Sequence, residues 1–178
     1  MRKTIVRTGI GFFVTAICLL VSGLAYAHHA HQATADYAKL VGVTGVVTRF
    51  NFTNPHITVY VQATNPDGTT EEWVGYGSSP AHEVRLGNGA SMFKIGQDKI
   101  TMYGFANRDG RKFMIWVRKV RESGADVPIY QTEVNDLLAF MKTKHVMSFN
   151  AIPESDKRYV GGKPFQAKND FPNMTGTK

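Results

Sequence analysis

Residues 56–76 read His-Ile-Thr-Val-Tyr-Val-Gln-Ala-Thr-Asn-Pro-Asp-Gly-Thr-Thr-Glu-Glu-Trp-Val-Gly-Tyr, two short runs on either side of a turn. Ile57, Val59 and Val61 alternate with Thr58, Tyr60 and Gln62, the two-residue period of a strand with one buried face. In Asn65-Pro66-Asp67-Gly68, the proline fixes φ and the glycine tolerates the positive φ next to it. Thr69 to Tyr76 then resumes as a strand, so this stretch is a β-hairpin.

Upstream, Leu40 to Phe50 is rich in Val and Thr, and Gly42 and Gly45 are expected to allow a bend or bulge. Asn54-Pro55 separates it from the hairpin. Downstream, Ser78-Ser79-Pro80 predicts a short helix with a hydroxyl cap and proline in the first turn, ended by Gly87 and Gly89. Gly96-Gln97-Asp98 leads into a strand from Lys99 to Ala106. Asn107-Arg108-Asp109-Gly110 forms a second tight turn, and Arg111 to Arg121 is the last strand. Five strands with a helix between the third and fourth predict a mainly β fold, a small five-stranded OB-like barrel over residues 39–121. An open sheet or small sandwich, with the helix capping one end, is the alternative.

The flanks differ in character. Residues 1–27 read as a signal peptide. Arg2, Lys3 and Arg7 precede an apolar run from Ile10 to Val21, and Ala25-Tyr26-Ala27 supplies small residues at a cleavage position. An uncleaved membrane anchor is the alternative, and the only expected membrane contact. Residues 28–38 are a His-rich segment. Residues 122–149 are read as a linker and C-terminal helix, running from Thr132 to about Lys144, with Val134, Leu137, Leu138 and Met141 on one face. That stripe packs on the barrel or meets a partner. Residues 150–178, rich in Pro, Gly and Lys, read as an extended or disordered tail.

Composition narrows the function. The 178 residues carry 21 Lys and Arg against 14 Asp and Glu, a formal charge of +7. Removing the three leader cations leaves 18 against 14, a formal +4. The single cysteine, Cys18, lies inside the leader. A mature chain without thiols suits a periplasmic or secreted protein and excludes thiol catalysis and thiolate metal ligation.

Several motifs in order resemble a known family: Ala27-His28-His29 after the leader, Gly45-Val46-Val47 in the first strand, and Thr53-Asn54-Pro55-His56 before the second. Trp73, Gly77-Ser78-Ser79-Pro80, the Gly96–Asp98 turn, Gly104 and Asp109-Gly110 continue the series. From about Ala27 to Val120 the chain resembles an exported bacterial family known only as a domain of unknown function. The resemblance implies a small exported β-domain and brings no catalytic residue with it. Ala30-His31 stands where a serine and an aromatic residue are usual, so any role of His31 is peculiar to this chain.

Two candidate binding sites offer alternative readings of the function. A cut after Ala27 makes His28 the first residue, with His29 and His31 close behind it. A terminal amine with a pKa near 8 and an imidazole near 6.5 are both available donors around neutral pH. Together they form a chelate that suits Cu(II) best among common divalent ions, so copper is the expected ion, with His56 as the best additional ligand. A cut after Ala25 gives Tyr26-Ala27-His28, in which the third-position histidine binds Cu(II) with backbone nitrogens. The bland alternative is adventitious binding at the chain end, with His56 merely bonded to a backbone group at the rim. His82 reads as a surface helix residue.

The alternative site is a basic, aromatic strand face: Arg111, Trp116 and Arg118, with Arg108, Lys112, Lys119, Arg121 and Phe113 beside them. A two-residue period puts Lys112, Met114, Trp116 and Arg118 on one side and Phe113, Ile115 and Val117 on the other. Such a face suits single-stranded nucleic acid, but export argues against that ligand. A periplasmic partner protein or small anionic ligand fits instead; the bland alternative is a solvated strand face with Phe113 and Trp116 turned into the core. No enzyme motif survives inspection. The serines of Gly75-Tyr76-Gly77-Ser78-Ser79 lack the glycine two residues on that a nucleophile elbow needs. Adjacent Glu71 and Glu72 point to opposite faces of a strand, and no zinc motif appears. The expected class is a non-enzymatic, exported binding protein.

Overall fold

A computed structural model describes residues 34–127 and 154–165. The strands are β1 (Ala35–Asn51), β2 (Thr58–Thr64), β3 (Thr70–Tyr76), β4 (Lys99–Asn107), β5 (Phe113–Arg121), β6 (Asp126–Val127) and β7 (Lys157–Val160). Helix α1 (Pro80–Arg85) lies between β3 and β4, and a 3-10 turn (Glu154–Asp156) precedes β7. The fold is mainly β, as the alternating pattern required.

Strand pairing returns on itself. β1 pairs antiparallel with β2, β2 with β3, β4 with β5, and β4 with β1, while β3 and β5 pair in parallel. A ring is possible because β1 is 17 residues long and serves two neighbours. Its first part pairs with β4, its last part with β2, and Val46 pairs with both Lys99 and Gln62. A register shift falls between Val47 and Arg49, not at the two glycines where a bulge was expected. Gly45 instead allows two strands to approach closely: a Cβ on it would collide with the Gln62 carbonyl oxygen and lie 2.9 Å from Ala63 Cα.

The ring encloses the main core. Val41, Val43, Val47, Val59, Val61, Ala63, Trp73, Ile100, Met102 and Met114 form it, with Ile57 and Phe93 from the connecting segments. These are the residues that strand alternation turns to one side. The opposite side is also apolar in part. Leu40, Phe105, Ile115 and Val120 are buried there, and Tyr37 packs edge-on against Phe105 with centroids 4.9 Å apart.

Several sequence boundaries shift. Strand β1 begins at Ala35, ahead of residue 39. The predicted linker contains β6, and the predicted tail contains β7, paired in parallel with Leu40–Val43 of β1. The expected helix from Thr132 to Lys144 lies outside the described residues, as do the leader and residues 28, 29 and 31. Ser79 occupies the helix N-cap position but makes no side-chain cap bond. The helix turns Glu83 inward, where Asn88 Nδ2 donates to Glu83 Oε2 at 2.6 Å, and leaves Val84 exposed.

The β2–β3 hairpin carries an acid-sensitive element. Burial alone would raise the carboxyl pKa of Glu71. Hydrogen bonds from Asn65 Nδ2 (3.1 Å) and Trp73 Nε1 (3.1 Å), with Lys112 Nζ at 3.3 Å, outweigh it and hold the group below the usual glutamate value. A carboxyl depressed on folding adds stability above its unfolded pKa, and that contribution disappears as pH falls through the folded value. The chain is therefore expected to lose stability below about pH 4.5, the ordinary glutamate value. Glu71→Gln should flatten that acid limb, as read from thermal melts between pH 6 and 3.

Candidate functional site

The structure brings two of the sequence motifs together. Thr53-Asn54-Pro55-His56 leads into β2, and Gly77-Ser78-Ser79-Pro80 leads out of β3 into α1. Ile57 N–H donates to Ser78 O at 2.9 Å, and Gly77 N–H donates to Ile57 O at 3.0 Å. These bonds continue the β2–β3 register, in which Thr58 faces Tyr76. The Asn54–Pro55 peptide bond is cis.

His56 sits at this junction, half-buried. Its Nδ1 lies 3.0 Å from the Gly77 carbonyl oxygen. A carbonyl can only accept, so Nδ1 carries the proton, and in the neutral ring Nε2 then holds the lone pair. The imidazole also lies against the Tyr76 ring, with centroids 4.4 Å apart and planes tilted by 37°. Tyr76 in turn meets Phe113 at 5.4 Å. A hydrogen bond and an aromatic contact together set the orientation and tautomer of the ring. This is the arrangement that metal-ligating histidines use when a backbone carbonyl orients them.

His82 is not a simple surface residue. It is half-buried, and its Nδ1 lies 2.9 Å from Ser78 Oγ. The four-residue spacing of Ser78 and His82 was a signal in the sequence, because a residue at the helix start and one a turn later share a side. That pairing accounts for the position of Ser78, which is 7% exposed.

The basic strand face does not form as the period-two pattern predicted. The β4–β5 register shifts between Tyr103 and Gly104, so that Arg118 pairs with Tyr103 and Trp116 with Gly104. Val117 is the additional residue, and it reverses the phase of the rest of the strand. Met114 consequently belongs to the core, while Arg118 lies on the opposite side. Arg118 is 3% exposed and makes a two-pronged ion pair with Asp126, Nε to Oδ1 at 2.8 Å and Nη2 to Oδ2 at 3.1 Å. Lys119 is fully buried. Arg121 bonds Asp98 Oδ2 at 3.0 Å and Met92 O at 2.9 Å.

Of the cations nearer the turn, Arg108 donates to Ala35 O at 2.9 Å. Arg111 is exposed and paired with Asp109 at 2.7 Å within the same turn. The Arg111 backbone N–H and guanidinium also hold the Asp109 carboxyl below its usual pKa. The side chain of Trp116 lies outside the described residues. Arg111 and Arg118 are thus engaged in separate ion pairs, one in a surface turn and one buried.

His28, His29 and His31 lie outside the described residues. Among the described residues no group of three or more His, Cys, Asp or Glu side chains is close enough to hold a metal ion. His56 is the one expected ligand whose surroundings are described.

Residues 17–115, more than half of the chain, match the model of a family described as "Family of unknown function (DUF6152)". No curated protein and no solved structure matches the chain.

Proposed function

The chain belongs to this family of unknown function, and from that premise we propose that it is an exported, non-enzymatic binding protein for a divalent metal, with copper as the ion. Export rests on the leader and the Ala25-Tyr26-Ala27 cleavage position. Processing after Ala27 frees an amine on a residue that also carries an imidazole, and this pair with His29 and His31 is the proposed chelate. His56 is proposed as a further donor.

The observation that carries the reading is the bond from His56 Nδ1–H to the Gly77 carbonyl. It leaves the neutral ring with its lone pair on Nε2, the form in which imidazole ligates a metal. The proposed body is an OB-like barrel. The pairing order β1-β2-β3-β5-β4-β1, with α1 between β3 and β4, supports that reading.

The test is Cu(II) titration of the mature, processed protein. Wild-type protein is expected to bind one equivalent with sub-micromolar affinity. His28→Ala should weaken binding at least a hundredfold, and His56→Ala about tenfold. Binding that is micromolar or weaker and indifferent to His28→Ala overturns the proposal. Mass spectrometry of the native protein checks its premise, because a retained leader removes the terminal chelate.

A further inference from the structure

The segment Lys157–Phe165 lies across the ring in a distinctive way. It reaches β1 from the far end of the sequence and pairs with it in parallel, Leu40 to Lys157 through Val43 to Val160. Of its side chains Val160 enters the core, Lys157 pairs with Glu154 at 2.7 Å, and the exposed Arg158 and Tyr159 lie over the Trp73 ring, at 5.8 Å, and beside Gly42. Its main chain is held as well. Gly161 N–H donates to Asn65 Oδ1 at 3.0 Å, and Phe165 N–H donates to Thr101 Oγ1 at 2.9 Å. Tyr103 Oη lies 3.5 Å from Phe165 O. Thr101 Oγ1 is in turn fixed by Thr44 Oγ1 at 2.8 Å within a buried pair.

Capture of an extended main chain by a strand edge and fixed side chains is how domains bind peptides by strand addition. Here the capture also has a sequence requirement. Gly161 has φ of +80°, and a Cβ on it would collide with Thr44 O and lie 2.8 Å from Ala63 Cβ. The preceding residue must be apolar to fill the place of Val160. A cavity of about 490 Å³ opens along the segment, lined by Pro66, Tyr159, Gly162 and Pro164 among others, so the segment is not packed tightly throughout its length. The receiving residues 40–44, 65, 101 and 103 all lie within the span matched by the family, whereas the segment itself lies beyond it.

We propose that the β1 edge over residues 40–44, with Asn65, Thr101 and Tyr103, is a binding groove for an extended peptide carrying an apolar residue and then glycine. The chain's own Lys157–Phe165 is its occupant in cis. Tethering raises the local concentration of this occupant to the millimolar range, so the groove stays filled until a competitor displaces it. The groove does not depend on the proposed metal site.

The test uses the full mature chain and a labelled nonapeptide, Lys-Arg-Tyr-Val-Gly-Gly-Lys-Pro-Phe, with binding read by fluorescence anisotropy. Gly161→Ala and, separately, Val160→Asp release the cis segment while leaving the groove intact. Either variant, if folded by circular dichroism, is expected to bind the peptide at least tenfold more tightly than wild-type protein. The same peptide with alanine replacing its first glycine should bind the opened chain at least tenfold more weakly. Equal binding of the two peptides, or none to a folded variant, overturns the proposal. Should both variants unfold, the wild-type chain decides. Excess unlabelled peptide should shift the Gly161 and Phe165 amide resonances to those of a released segment, and unmoved resonances at millimolar peptide overturn it equally.

Discussion

Gly45→Ala is expected to destabilise the protein by at least about 3 kcal/mol, with a matching fall in the urea midpoint. The reason is the identity of the neighbours. An added Cβ would strike the Gln62 carbonyl oxygen and come within 2.6 Å of the carbonyl carbon and 2.9 Å of Ala63 Cα. All three are backbone atoms of β2, and they cannot move aside as a flexible side chain would. Relief requires β1 and β2 to separate where Val46 is shared between two neighbouring strands, so the ring itself would have to open. Gly89→Ala is the control: nothing lies within 4 Å of a Cβ there, and the change should stay within about 1 kcal/mol. An unchanged midpoint for Gly45→Ala would show that the β1–β2 junction is looser than described.

Trp73→Ala should cost about 3–5 kcal/mol. Trp73 is 2% exposed and belongs to the core inside the ring, facing Val61 on β2. Its removal leaves a cavity that the surrounding strands cannot fill, because their pairing fixes their spacing. It also removes the indole N–H from Glu71 Oε2, one of the bonds that depress that carboxyl. The variant is therefore expected to show a shallower acid limb as well as a lower midpoint. Trp73→Phe retains most of the volume and should cost less, about 1–2 kcal/mol, while still losing the bond to Glu71. Chemical denaturation at pH 7 and pH 4 separates the two effects: the cavity acts at both, the lost bond mainly at pH 7.

The contrast between His56 and Arg118 shows what kind of information the candidate site needed. His56 stands after a proline just before a strongly alternating strand, so its place in the lead-in to β2 was legible. Its acceptor was not, because Gly77 is 21 residues away and becomes a neighbour only through the hairpin register. Arg118 looked like a surface residue of a basic strand. One additional residue in β5 moved it to the other side, where Asp126 neutralises it. A strand's alternation is a local property, but the place where it breaks depends on the partner strand.

The amino-acid sequence by itself determined the mainly β character, the strands β1 to β5 with their hairpin turns, and the helix between the third and fourth of them. Alternation, proline and glycine act over a few residues and are visible without a fold. The tertiary structure decided which strands close the ring, where β1 gives way to β2, and which cations meet carboxylates. It also decided that a distant segment would lie along β1. Each of these depends on backbone groups and charges far apart in the chain, whose encounter is set by the pairing of strands rather than by the residues on either side.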